Sequence, residues 1–292
     1  MRLLVSFWKI LRILTTNQCN YRCLYCHNEG QEKEGYKVAL SFDEFVWLAG
    51  VIDGMGFQEI RFSGGEPLVN PETIRMIEWL DANSDYEVGL ATNGSVITED
   101  IARRLGKTRV LVTLHLPAID DVEYKRVTGM HSKAFLDAVD RLDRYGVMHS
   151  FNYVLYPETI DNVTEVVDTV IEKGKRVKLL PYIEDGFNNY SKGIIGKVRE
   201  RLDKSSVSKE VFVEGGITTW LFEGGGKVKL LDSPCYDHNI DRCREYGELR
   251  LLPDLSLQKC IFDKGSVSIA GLADDEVRER ITDLWINFTK CL

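Results

Sequence analysis

Two hydrophobic periods alternate along the first part of the chain. Short runs of alternating or continuous apolar residues at 11–14, 59–62, 86–91, 109–114, 149–155 and 176–180 predict strands. Between them, apolar residues recur at helical spacing over 41–55, 71–82, 98–105, 133–145 and 162–173. Ser41 followed by Glu44 has capping-box spacing, in which hydroxyl and carboxylate each satisfy a backbone N–H left open at a helix start. Six such β/α-type repeats predict a parallel sheet that curls like a barrel but lacks the eight units that close one.

After Pro181 the rhythm changes. A helical pattern over 190–202 gives way to strand-like runs at 211–213, 227–231, 248–252 and 257–261. Gly215-Gly216 and Gly224-Gly225-Gly226 punctuate them, and 274–288 reads as a terminal helix. The expected fold is therefore α/β. It is a partial (β/α)6 TIM-like barrel over 1–185 with a small antiparallel β appendage over 186–292.

Composition narrows the function classes. The 292 residues are 44% hydrophobic and 28% charged, as in ordinary globular domains, and the net charge is -8. That balance argues against duplex nucleic acid and anionic membranes as partners, since both need basic surface. No apolar run approaches the ~20 residues of a membrane span. Arg2, Lys9 and Arg12 interrupt the apolar N-terminus, which reads as a first strand rather than a signal peptide, so a cytoplasmic location is expected. Seven cysteines, at 19, 23, 26, 235, 243, 260 and 291, are odd in number and grouped toward the two ends. In a reducing compartment that grouping points to metal or catalysis rather than disulfides.

The first group carries the clearest chemistry. Cys19, Cys23 and Cys26 lie on one loop, and soft thiolates select zinc or iron–sulfur clusters. By spacing alone both fit, with His27 available as a fourth zinc ligand. The loop follows the first strand at its carboxyl end, where folds of this class bind ligands. Three cysteines also leave one iron of a four-iron cluster open for chemistry. After the second strand comes Ser63-Gly64-Gly65-Glu66-Pro67, where glycines permit close backbone approach and Glu66 suits a ligand ammonium group.

Together these motifs resemble the radical SAM superfamily. The cysteine spacing with Tyr25 before the last cysteine is similar to that family's signature, and residues 63–67 to its Gly-Gly-Glu-Pro segment. The resemblance implies a [4Fe–4S] cluster on Cys19, Cys23 and Cys26 whose open iron is chelated by S-adenosylmethionine (SAM). It implies reductive cleavage of SAM to a 5′-deoxyadenosyl radical that abstracts hydrogen from a substrate. SAM-site positions by the same resemblance are Tyr25, Gly64, Gly65, Glu66, Pro67, Thr92, Asn93 and Thr113. The implied partners are a small-molecule substrate and an electron donor of flavodoxin or ferredoxin type.

Within the superfamily the chain most resembles the GTP 3′,8-cyclases of molybdenum-cofactor synthesis (MoaA-like), through segments 11–23, 60–67, 92–94, 112–114, 229–234 and 260–262. That resemblance places Arg12 and Arg61 on the substrate, with Lys178, Arg244 and Arg250 as further cations. It places a second [4Fe–4S] cluster on Cys235, Cys243 and Cys260, in a region that also resembles the auxiliary-cluster ("twitch") domains of other members. The departures matter. Ile240 stands where the first cysteine of the second cluster falls, the gap from Cys243 to Cys260 is longer, and Ser150 replaces a nucleotide-binding lysine. Lys178 replaces an arginine, and the terminal Gly-Gly is replaced by Thr289-Lys290-Cys291-Leu292. Each lost charge-assisted contact weakens triphosphate binding by about 1.5–3 kcal/mol. The leading expectation is thus a radical enzyme acting on a small molecule, a nucleoside or nucleotide being the first guess. The alternatives are a GTP 3′,8-cyclase, a peptide-modifying maturase, or a metal-binding protein without catalysis. Eighteen residues precede Cys19, little room for the leader-peptide domain such maturases often carry.

Overall fold

The computed structural model describes residues 8–26, 38–155, 162–182, 192–212, 216–231, 239–263 and 265–290. In chain order the first part holds β1 (Ile10–Leu14), α1 (Phe42–Ile52), β2 (Glu59–Ser63), α2 (Thr73–Asn83), β3 (Glu87–Thr92) and α3 (Glu99–Leu105). It continues with β4 (Leu111–His115), α4 (Asp121–Thr128), α5 (Lys133–Arg144), β5 (His149–Leu155), α6 (Val163–Glu172) and β6 (Arg176–Pro181). Strands β1 to β6 pair in parallel in sequence order. The expected capping box opens α1: the Ser41 hydroxyl accepts from Glu44 N at 3.2 Å, and Ser41 N donates to the Glu44 carboxylate at 2.8 Å.

Alternation along the strands gives the sheet two faces. Ile60, Phe62, Val88, Leu90, Val112, Leu114, Phe151, Tyr153, Val177 and Leu179 are buried in the hydrophobic core. Arg61, Ala91, Thr113, Asn152 and Lys178 occupy the intervening, half-buried positions. The sheet is strongly curled. Lys178 on β6 feels the charges of Arg61 on β2 and Arg12 on β1, which a flat sheet with ~4.8 Å between strands would hold about 20 Å away or more. The intervening positions therefore line a common lumen.

The C-terminal part holds α7 (Lys192–Ser205), β7 (Ser208–Phe212), β8 (Ile217–Leu221), β9 (Lys227–Leu231), α8 (Ile240–Tyr246), β10 (Glu248–Leu251), β11 (Ser256–Gln258), β12 (Val267–Ser268) and α9 (Asp274–Ile286). Its strands form two antiparallel ribbons, β7–β8–β9 and β10–β11–β12, one at each edge of the barrel sheet. Each ribbon attaches through a parallel pairing, β9 to β6 and β10 to β1. The result is an open partial barrel extended to a 12-stranded sheet. Four of the described elements just named were not foreseen, among them the two-residue β12. Short, polar α4 is set by its ends: Asp120 accepts from Val122 N and Glu123 N, and Gly129 stops the helix at φ 77°. Strand β8 lies between glycine-rich segments that read as turns, and α8 is a seven-residue helix.

Candidate active site

The cysteine loop leaves β1 and runs beside the segment that leaves β2. Thr15 N donates to Ser63 O at 2.9 Å, Gly65 N to Thr16 O at 2.9 Å and Glu66 N to Gln18 O at 2.7 Å. Gly64 sits at φ +139°, and a Cβ on Gly65 would overlap the Gln18 carbonyl and crowd Cys19 N. The chain that these glycines admit is therefore the approach to Cys19 itself. On its other side the loop is bonded to the end of α4, by Arg22 N to Thr128 O at 3.1 Å and Leu24 N to Val127 O at 3.0 Å.

Cys19, Cys23 and Cys26 are half-buried and free of disulfides. Burial, followed by the charges of Cys26 and Cys19, pushes the Cys23 thiol up to about 12. Thiolates that feel one another's charge are eased by a cation between them, and soft thiolates suit an iron–sulfur cluster as well as zinc. Among the described residues no three His, Cys, Asp or Glu side chains converge on a single-ion site. His27, the alternative zinc ligand, lies outside the described residues.

Glu66 is almost fully buried and joins the two neighbouring loops. Its carboxylate accepts from Leu68 N at 3.1 Å, Thr92 Oγ1 at 2.6 Å and Asn93 N at 2.7 Å. Burial raises it to about 7 in spite of these three donors. Pro67 starts a short 3-10 turn whose first carbonyl accepts from Thr73 Oγ1 at 2.6 Å. Asn93 reaches back to the cysteine loop, donating to Asn20 Oδ1 at 2.9 Å, and its own Oδ1 accepts from Ser95. Asn20 and Ser95 were not singled out in the sequence, where nothing marks a bond between loops so far apart. Tyr25 is buried against His115, with a 2.6 Å hydrogen bond and an edge-on ring contact at 5.3 Å. Burial holds His115 down at about 4, so its ring is neutral near pH 7. Thr113 lies two residues before it on β4, half-buried and in register with Ala91 and Ser150.

Below these loops the lumen is charged. Arg12 clasps Glu248 of β10 through Nε at 2.7 Å and Nη2 at 2.8 Å. Arg61 clasps Glu59 in the same way, at 2.6 and 2.7 Å. Its remaining nitrogen meets Tyr246 Oη and, at 3.3 Å, Glu248. Arg250, 4% exposed, lies 4.0 Å from Glu248. Burial would raise Glu248, but Arg12, with Arg61 and Arg250 behind it, holds its carboxyl down at about 2. Lys178 is pressed down to about 8 by burial and then by Arg61, Lys229 and Arg12. The sequence did not point to Glu59, Tyr246 or Glu248.

Arg244, expected among the substrate cations, is engaged elsewhere. It stacks on Trp285 at 4.2 Å and donates to the carbonyls of Trp285 and Phe288 at 2.8 and 2.6 Å, closing the end of α9. Cys243 lies on α8 and Cys260 follows β11, both half-buried, whereas Cys235 and Cys291 lie outside the described residues.

Known proteins resemble this chain in sequence and in fold. A probable GTP 3′,8-cyclase of Methanocella arvoryzae is 28% identical over 279 residues, covering 91% of this chain and 86% of that relative. The GTP 3′,8-cyclase of Staphylococcus haemolyticus is 24% identical over 298 residues, covering 94% and 86%. Among solved structures, Streptococcus suis SuiB bound to its precursor peptide SuiA superposes with a TM-score of 0.70 at 14% identity, over 96% of this chain and 65% of that one. The chain thus spans about two thirds of SuiB. The anSMEcpe structure with bound AdoMet gives 0.61 at 17% identity, over 88% and 75%. At these identities the solved structures establish the fold alone, a partial barrel. Residues 13–170, more than half of the chain, match the radical SAM superfamily, and the chain belongs to that family.

Proposed function

We propose that this enzyme reductively cleaves SAM and abstracts hydrogen from a small polar molecule held in the barrel lumen. Membership of the superfamily implies SAM and a [4Fe–4S] cluster. When bound, these supply one electron and a 5′-deoxyadenosyl radical; the chain's own residues bind, orient and shield. The observation that carries the reading is the strapping of the cysteine loop to Gly64-Gly65-Glu66 at the carboxyl ends of β1 and β2, directly above a polar lumen. Cys19, Cys23 and Cys26 would hold the cluster. Tyr25, Gly64, Gly65, Glu66, Pro67, Thr92, Asn93 and Thr113 would form the SAM site, with Glu66 and Asn93 keeping its loops in place. A flavodoxin- or ferredoxin-type protein would deliver the electron in the cytoplasm; no helix among the described residues is long and apolar enough to cross a membrane. The test is anaerobic reconstitution followed by reduction with SAM, which should yield 5′-deoxyadenosine. Zinc in the purified protein and no 5′-deoxyadenosine would support a non-catalytic metal-binding protein instead.

A second [4Fe–4S] cluster on Cys243, Cys260 and Cys235 is part of the proposal, aiding substrate binding or electron transfer. Replacing Cys243 or Cys260 by Ala should lower the iron content by one cluster and spare uncoupled SAM cleavage. An unchanged iron count in either variant rules out that placement. A second reading, GTP 3′,8-cyclase, is favoured by the names of the relatives in Methanocella and Staphylococcus.

A further inference from the structure

The lumen holds Arg12 and Arg61, two arginines that a polyphosphate would use, but two carboxylates already occupy them. Both pairings are bidentate, the geometry that gives arginine its strongest carboxylate and phosphate contacts. Arg61 has every nitrogen engaged, the third by Tyr246 and Glu248. The acids are also built in. Glu59 shares a strand face with Arg61, and the Glu248 side chain is only 14% exposed. A phosphate chain entering here would have to break two partly buried ion pairs and leave two carboxylates beside its own negative charges.

Other groups are available. Lys178 and Asn152 are register partners on β6 and β5. The Lys178 ammonium group makes no hydrogen bond or ion pair among the described residues, and the Asn152 carboxamide oxygen is buried without a hydrogen-bond partner. An orphaned buried acceptor beside an unengaged ammonium group is a site that lacks its ligand's donor.

Resting on the radical reading above, we infer that Glu248 and Glu59 set the substrate class. They neutralise Arg12 and Arg61 and so exclude polyphosphates. Lys178, with Lys229 in register beside it on β9, and Asn152 then hold a small molecule that is anionic, carries no phosphate chain and donates an N–H or O–H. Glu248 stays ionised throughout the physiological range, so this exclusion does not relax near neutral pH.

The experiment measures equilibrium binding of GTP and of inorganic tripolyphosphate to the reconstituted holoenzyme, without turnover. The wild type should show no saturable binding of either below millimolar concentration. Glu248→Gln, which removes the carboxylate that clasps Arg12, should bind tripolyphosphate about tenfold more tightly or better, the scale of one regained charge-assisted contact. Glu59→Gln, which releases Arg61, serves as the second variant should the first fail to fold. Micromolar affinity of the wild type for GTP or tripolyphosphate overturns the inference, as does the lack of any gain in folded variants. SAM cleavage by the same wild-type preparation separates the two claims. A chain that cleaves SAM and binds GTP tightly loses this inference but keeps the radical reading; one that cannot cleave SAM loses the reading itself.

Discussion

At the residue scale, burial shifts two groups beside the cysteine loop and its neighbours in opposite directions, with opposite consequences for stability. Glu66 is raised by burial from 4.5 to about 7. Its folded form holds a proton that the unfolded chain has released, so its contribution is present below pH 4.5 and is lost as the pH rises to about 7. His115 is lowered by burial from 6.5 to about 4. Its contribution is present above pH 6.5 and is lost as the pH falls to about 4. Each amounts to a few kcal/mol at most, at roughly 1.4 kcal/mol per pH unit. The two slopes overlap and largely cancel in the wild type between pH 5 and 7. Denaturant unfolding across that range should therefore be nearly flat. With Glu66→Gln stability should rise with pH, and with His115→Gln it should fall. The same slope in both variants would contradict these assignments. Glu66 stood out in the sequence because its motif is local, but as an acceptor for a ligand's ammonium group, whereas its carboxylate accepts from Leu68 N, Thr92 Oγ1 and Asn93 N. Glu248 did not stand out, because its partner Arg12 lies 236 positions away and an acid on a strand has no distinguishing pattern.

At the element scale, the site depends on two loops that fit only without a side chain between them. Backbone hydrogen bonds run from Gly65 and Glu66 to Thr16 and Gln18, one step before Cys19. Gly65→Ala would force the Gln18 carbonyl and Cys19 amide aside, since backbone atoms there cannot yield as a flexible side chain would. The variant should keep its helix content by circular dichroism and bind markedly less iron after reconstitution. A full iron complement would show that the loop can move without losing the cluster. The barrel elements were readable because each carries a strong period: β5 was foreseen residue for residue, and α1 by its capping box. The elements that escaped, α4, α8, β8 and the two-residue β12, are at most eight residues long, too short for a period to emerge. Their caps, Asp120 with Gly129 and Asn239 with Gly247, were the available signals.

At the scale of the whole molecule, a residue just before β1 packs on the helix that follows the last strand. The Trp8 ring, just before β1, is fully buried, packs on Trp285 at 4.9 Å and Phe288 at 5.2 Å, and donates to Ile281 O at 3.2 Å. Strand β10 then pairs with β1 in parallel and brings Glu248 to Arg12. Sequence rhythm suggested a boundary near 185, yet a break there would leave the β1 edge bare and strip the lumen of a wall. Interfaces of that kind, with backbone pairing and buried aromatics, couple unfolding across a boundary. Chemical unfolding followed by tryptophan fluorescence and by far-ultraviolet circular dichroism should give coincident single transitions. Trp285→Ala should shift both together, by about 3–5 kcal/mol for a buried tryptophan. If the region after 185 were an independent unit, the variant would instead split off an early phase in which 239–290 melts while β1 to β6 persist. Hydrogen exchange distinguishes the two cases, because only the coupled molecule would lose protection in β1 and β10 at the same denaturant concentration as in β3 and β4.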